Sequence, residues 1–271
     1  MLKKKVKVLD ESKGVVDDKH HLLEEQENDD TSSDLERQVE RELKAAELLC
    51  KKLNERSKCR EVENMRLGFV GSIDIRKKDF ETLDARNWLN DNVISAYFST
   101  LQVSELSLAF MTTFLVLSNG NLRSECVKHF VDAVNKNNFV VVPINIGDCH
   151  WTLVVIDCLQ RRMFYMDPMT QQQTEKGRKV LSNLSNAFES NSSSDIKFSL
   201  HFSTHHAIQN DNHSCGVFVC YFGKIVVDEV KKNKEIFSDT WFSKRPNIIS
   251  FRNLIRDQIF SNLATHQTYV G

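Results

Sequence analysis

Proline and glycine are scarce, three and nine of 271 residues. That excludes collagen-like and Pro/Gly-rich low-complexity chains. No run of about 18 apolar residues occurs, so no bilayer-spanning helix is expected. The net charge of −1 gives no global attraction to nucleic acid or to an anionic membrane, and neither is expected as a partner. The N-terminus lacks the apolar stretch of a secretory signal. Its seven cysteines are therefore expected as thiols in a reducing compartment. Seven is odd and no CxxC pair occurs, which leaves a catalytic thiol as a live alternative to structural cysteines.

Aromatics are missing where charge is dense. Residues 1–66 hold 32 of the 73 charged residues and none of the 24 aromatics; the first is Phe69. A segment without large rings does not build its own core. A boundary near residue 66 follows, with a charged, partly helical or disordered extension over 1–66 and a compact domain over 67–271. Within the extension, Leu35, Val39, Leu43, Ala46, Cys50 and Leu53 recur at helical spacing behind a Ser33/Glu36 capping box. That pattern reads as a solvated helix or a docking segment. Lys3, Lys4, Lys5 and Lys7 form a short basic cluster of the nuclear-import kind, so nucleus or cytoplasm is the expected location.

The second part is mixed in period. Val93, Ile94, Tyr97, Phe98 and Leu101 share one face of a helix over Asn90–Leu101, with Asn90 as its cap. Phe130–Val134 lies in a second helix. Phe139–Ile146, Trp151–Ile156 and Met163–Met166 are β-branched or aromatic runs separated by short polar turns, and they predict an antiparallel meander. Residues 190–195 read as a Ser/Asn-rich loop, and the alternation of Phe198, Leu200 and Phe202 as a further strand. The apolar run Gly216–Val227 fits either a buried helix or a buried strand, and its length favours the helix.

Reactive side chains fall at the ends of these elements. His150 begins the middle strand of the meander and Asp167 ends the third, so antiparallel topology sets them near each other. A carboxylate beside an imidazole fixes its tautomer and stabilises the imidazolium. Asp148 and Asp157 compete for the same role. Cys215 opens the apolar run, where a helix N-terminus favours a thiolate. Gly216 would admit a substrate backbone, and Gln209 can donate to an oxyanion. Singly, each has a plainer reading. Cys215 and Cys220 suit a core, His150 suits a structural bond, and Asp167 before Pro168 suits a turn.

Four blocks together resemble the Ulp/SENP family of ubiquitin-like-protein proteases. They are Asp79–Leu83 with Trp88–Asp91 and Val93–Ile94, Pro143–Asn145 with His150–Trp151, Tyr165–Asp167, and Gln209 spaced five residues before Cys215–Gly216. The resemblance implies an α+β, papain-like cysteine protease fold with a central mixed or antiparallel sheet flanked by helices. It implies Cys215 as nucleophile, His150 as acid and base, Asp167 as its orienter and Gln209 as oxyanion donor. Trp88 and Trp151 would clamp a Gly-Gly tail between indoles, a slot too thin for side chains. Asp91 resembles an acidic contact to the modifier, or else serves its helix start. Trp241 lies outside every block and reads as core.

The implied activity is cleavage after the Gly-Gly of a SUMO-type modifier, in precursors or conjugates, by a monomer needing no metal or cofactor. Rub/Nedd-type modifiers and ubiquitin are alternatives. Ser214 stands where the family usually has Asp, and Pro168 where Ser is common. Two other classes compete: a zinc module built from Cys149, His150, His205, His206, His213 and Cys215, and an inactive modifier binder.

Overall fold

A computed structural model describes residues 62–117, 119–192, 197–232 and 237–264, with 37, 38, 41, 44, 45, 47–49, 51, 52 and 55. The chain divides into two units, Met1–Lys58 and Cys59–Gly271. In the first, each described residue is helical. The apolar stripe from Leu35 to Leu53, its Ser33/Glu36 cap and the Lys3–Lys7 cluster lie outside the described residues. The compositional boundary near residue 66 falls inside the second unit, at the first residue of its first strand.

The first two strands of that unit form a hairpin, β1 (Arg66–Val70) and β2 (Ile73–Arg76), turned at Gly71 with φ 59°. Two helices follow, α1 (Lys77–Glu81) and α2 (Asp91–Leu101). Asn90 caps α2 as its sequence predicts, its side-chain oxygen accepting from Val93 N at 3.1 Å. The remaining elements are β3 (Leu108–Phe110), α3 (Ser124–Lys136), β4 (Phe139–Ile146), β5 (His150–Asp157), β6 (Arg162–Met166), α4 (Glu175–Asn191), β7 (Ser199–Phe202), α5 (Cys215–Lys231), a 3-10 helix (Asp239–Phe242) and α6 (Ile248–Ser261).

Five strands form one mixed sheet in the order β3-β4-β5-β6-β7. The antiparallel β4-β5-β6 meander is its centre, and β3 and β7 join its edges in parallel. Alternate residues of the central strands enter two cores. Phe139, Val141, Leu153, Val155 and Met166 pack with residues of α2, α5 and α6. Val140, Val142, Ile144, Val154 and Ile156 pack with α3 and α4. Burial on both faces explains why these strands read as continuous apolar runs rather than alternating ones.

The run from Gly216 is a helix, and it is apolar all round because it is sunk between the sheet and the outer helices. One expectation changes. Residues 190 and 191 are not loop: they finish α4, capped by Thr174 through Gly177 N at 3.1 Å and carried by buried Val180, Leu181, Leu184 and Phe188. The further strand expected from Phe198, Leu200 and Phe202 is β7, with Leu200 41% exposed and Phe198 buried just before it. As an edge strand, β7 has one side open to solvent.

Candidate active site

Three element ends converge. Ile146 pairs with His150 across the β4-β5 turn, and Leu153 with Met166 across β5-β6, so the start of β5 lies beside the residue that follows β6. His150 Nε2 stands 2.6 Å from Asp167 Oδ1. The competing carboxylates are placed elsewhere. Asp157 is buried and bound by Arg162 Nη2 at 2.8 Å, and Asp148 sits in the turn with φ 57°.

Cys215 is the first residue of α5, buried, and close enough to the same imidazole to help raise its pKa. With Nε2 on the carboxylate, Nδ1 is the ring nitrogen left for the thiol. Burial by itself would lower the His150 pKa, but Asp167 and Cys215 outweigh it and push it up to about 9. An imidazolium held beside the sulfur is the arrangement that favours a thiolate.

The first helical bond of α5 runs from Phe218 N to Ser214 O at 3.0 Å. The amides of Cys215, Gly216 and Val217 therefore precede the ladder, as the first amides of any helix do. Asp211 shapes the approach: its Oδ1 accepts from His213 N at 2.9 Å and Ser214 N at 2.8 Å. Burial pushes its carboxyl up, but these donors outweigh burial and hold it below the ordinary carboxylate range. Gln209 is buried beside this loop. Its Nε2 donates to Asp211 O at 2.6 Å and its backbone N to Pro168 O at 2.7 Å. One of the two amide hydrogens is thus committed to the loop and the second is free to donate elsewhere.

The two tryptophans differ. Trp151 is buried and donates Nε1–H to Leu89 O at 2.8 Å, which fixes the 88–89 segment against β5. Trp88 leaves 49% of its surface exposed. Gly216 does not face an open approach. A Cβ there would meet Leu89 Cβ at 3.0 Å, Trp151 Cδ1 at 3.2 Å and Ile94 Cδ1 at 3.3 Å, so this glycine lets α5 close onto Trp151 and α2. That corrects the reading of Gly216 as a residue bared to substrate. Asp91 opens α2 half-buried; burial pushes its carboxyl up, and the charges of Asp148 and Asp79 add to the effect. Trp241 packs at a tilt against Phe237 and Phe242 as a partly buried core residue.

The zinc candidates are dispersed. His205 Nδ1 contacts Asp239 at 3.1 Å, His206 Nε2 contacts Asp167 O at 2.8 Å, and His213 lies against Asp211 at 3.5 Å. Among the described residues no group of three or more His, Cys, Asp or Glu side chains is arranged to hold a metal ion. Two residues missed by sequence reasoning brace the site. Arg252 of α6 is 3% exposed and donates to the carbonyls of Thr82, Asp84, Asn87 and His213. His206 was legible only as a metal-ligand type.

Residues 87–260 match a family described as Ulp1 protease family, C-terminal catalytic domain. Ubiquitin-like-specific protease 1 of Saccharomyces cerevisiae is 24% identical over 163 residues, 58% of this chain and 26% of that protein. Human Sentrin-specific protease 2 is 28% identical over 176 residues, 60% of this chain and 29% of its own length. The chain thus spans little more than a quarter of these curated relatives. The crystal structure of the C-terminal Ulp1 protease domain in complex with Smt3, the yeast ortholog of SUMO, aligns with a TM-score of 0.55 and 20% identity. It covers 76% of this chain and 93% of the Ulp1 domain, a likeness of fold.

Proposed function

Since the chain belongs to the Ulp1 protease family, we propose that it is a thiol peptidase and isopeptidase that cleaves after the C-terminal Gly-Gly of a SUMO-type modifier. The observation that carries the reading is the His150 ring held between Asp167 at 2.6 Å and Cys215 at the first position of α5. The relative solved with Smt3 supports a SUMO-type partner.

In this reading the Cys215 thiolate attacks the carbonyl carbon of the terminal glycine. The oxyanion that forms is met by the free hydrogen of the Gln209 amide and by the Cys215 backbone N–H at the helix start. His150, charged below about pH 9, gives its proton to the departing amine, an α-amine in a precursor or a lysine ε-amine in a conjugate. The C–N bond breaks and a thioester remains. Neutral His150 then takes a proton from water, the hydroxide adds to the thioester, and Cys215 leaves as thiolate, so the proton count closes. Asp167 holds the ring throughout. Trp88, exposed, and Trp151, buried behind it, admit a tail without side chains, and Asp91 contacts the modifier near the helix start.

Labelling with modifiers that carry a C-terminal electrophile tests this. SUMO-type probes are expected to form an adduct with wild type and not with Cys215→Ala, and faster than Rub/Nedd-type or ubiquitin probes. Equal labelling of Cys215→Ala would remove Cys215 as nucleophile, and faster labelling by another modifier would replace the SUMO assignment. The free cysteines among the described residues support a reducing site of action, nucleus or cytoplasm; imaging of a tagged chain checks it.

A further inference from the structure

His206 is a titratable side chain that the proposed chemistry does not use, yet it is 1% exposed and bonded at both ring nitrogens. Its Nε2 lies 2.8 Å from the backbone oxygen of Asp167. A carbonyl only accepts, so the ring carries its proton on Nε2. Nδ1 lies 3.0 Å from Ser203 Oγ, and the hydroxyl itself sits 3.2 Å from Asp239 Oδ2. Burial pushes the His206 pKa down, which favours the neutral ring. An edge-to-face contact with Phe222 of α5, centroids 5.9 Å apart, fixes the plane of the ring.

The location gives these bonds their meaning. Asp167 follows the last residue of β6, where ladder hydrogen bonding ends. Its carboxylate is aimed by the Met169 N–H at 2.9 Å, and its carbonyl takes Thr170 N at 3.0 Å and the His206 ring. The backbone of His206 accepts from Gln171 Nε2 at 2.6 Å. Three residues on, Gln209 N bonds Pro168 O. The segment 203–209 and the turn 167–171 are therefore stitched to each other, and the His206 ring makes the one stitch that lands on Asp167 itself.

We propose that His206 is a positioning residue: it holds the Asp167 main chain so that the carboxylate meets His150, and it ties that carboxylate's turn to the segment bearing Gln209. The role rests on the protease reading only for its kinetic consequences; the geometric claim stands apart from turnover. His206→Leu keeps bulk and removes the donor, while His206→Gln returns an amide N–H near the position of Nε2.

Two measurements are made on the full chain. The first is hydrolysis of a SUMO-type fluorogenic substrate as a function of pH. His206→Leu is expected to lower kcat by roughly tenfold to a hundredfold with KM within about threefold, the scale of losses when a reacting group is slightly misplaced. The alkaline limb should fall by about half a pH unit or more, since a looser Asp167 stabilises the imidazolium less. His206→Gln is expected to recover most of both changes. The second is an NMR titration of the His150 ring, which needs no turnover. A lower His150 pKa in the leucine variant than in the glutamine variant supports the proposal even with a wild type that reacts with no probe, which would sink the protease reading alone. Equal His150 pKa values in wild type, leucine and glutamine variants would overturn it. Should the leucine variant not fold, His206→Asn, too short to reach the carbonyl, is compared with glutamine and the same outcomes decide.

Discussion

Replacing Asp167 by asparagine separates the charge of this residue from its shape. The asparagine oxygen can keep the Met169 N–H that now reaches Asp167 Oδ1 at 2.9 Å, and the backbone carbonyl keeps Thr170 and His206. What disappears is the negative charge 2.6 Å from His150 Nε2. In wild type the ring's pKa stands at about 9 rather than 6.5 although burial opposes the charged form. That rise corresponds to about 3 kcal/mol in favour of the imidazolium. Without the carboxylate, burial faces Cys215 alone, and the pKa should fall by roughly one to two pH units. Because the folded pKa is raised, the linked stabilisation is complete below the ordinary value and is lost as pH rises through about 9. The thiolate–imidazolium pair and the protonated leaving-group donor fade over the same interval. Hydrolysis of a SUMO-type fluorogenic substrate between pH 6 and 10 should therefore show an alkaline limb near pH 9 in wild type and a lower one in Asp167→Asn. At pH 7.5 the variant should lose roughly 10³-fold in kcat/KM, in line with removal of the orienting carboxylate from such triads. Melting temperature against pH should decline between about 6.5 and 9 in wild type and flatten in the variant. An unmoved alkaline limb with activity within about threefold would refute the assignment of Asp167 as the source of the His150 shift.

The tryptophans should separate stability from binding. Trp88→Ala, at an exposed position, is expected to change unfolding free energy by less than about 0.5 kcal/mol while slowing modifier-probe labelling about tenfold or more. Trp151→Phe leaves the Leu89 carbonyl without its 2.8 Å donor and should cost about 1–2 kcal/mol in a denaturant melt. Gly216→Ala forces Leu89, Trp151 and Ile94 to shift by a few tenths of an ångström and should cost about 1–3 kcal/mol, with reduced labelling of Cys215; a melt identical to wild type would contradict the close packing. Arg252→Met takes the buried guanidinium away from the carbonyls of Thr82, Asp84 and Asn87 and should destabilise by roughly 1–3 kcal/mol in chemical unfolding.

Sequence reasoning worked where a residue's partner was dictated by chain topology. Three strands with short turns can only run antiparallel, and that alone set His150 beside Asp167. The helical reading of the run from Gly216 put Cys215 at an N-terminus. It failed for α4, although Val180, Leu181, Leu184 and Phe188 carry a helical period behind the Thr174 cap, because the serines and asparagines after position 189 drew attention to a loop. It found β7 as a strand, although alternation says nothing about whether a strand lies at the sheet's edge, where Leu200 faces solvent. Gly216 was misassigned because a glycine beside a nucleophile suits open backbone as well as tight packing, and only the positions of Leu89, Trp151 and Ile94 decide. The bracing roles of Arg252 and His206 were invisible for a different reason. Their partners are backbone carbonyls far along the chain, and a carbonyl has no sequence signature.

The same distinction explains why two departures from the family pattern are tolerable. Pro168 stands where serine is common and has no N–H to give, yet the bond this position makes to Gln209 N uses its carbonyl, which every residue possesses. Ser214 stands where an aspartate is usual, directly before Cys215. Its side chain is buried, lies 3.3 Å from the His213 ring and also bonds the carboxylate of Asp211, which gathers its amide and that of His213. The acid is present in this loop three residues earlier, and its carbonyl simultaneously anchors the Gln209 amide. A single residue thus orders both the turn that leads into α5 and the side chain poised over it. The loop's geometry is carried by where a carboxylate can reach two consecutive amides, and that requirement does not fix which position must supply it.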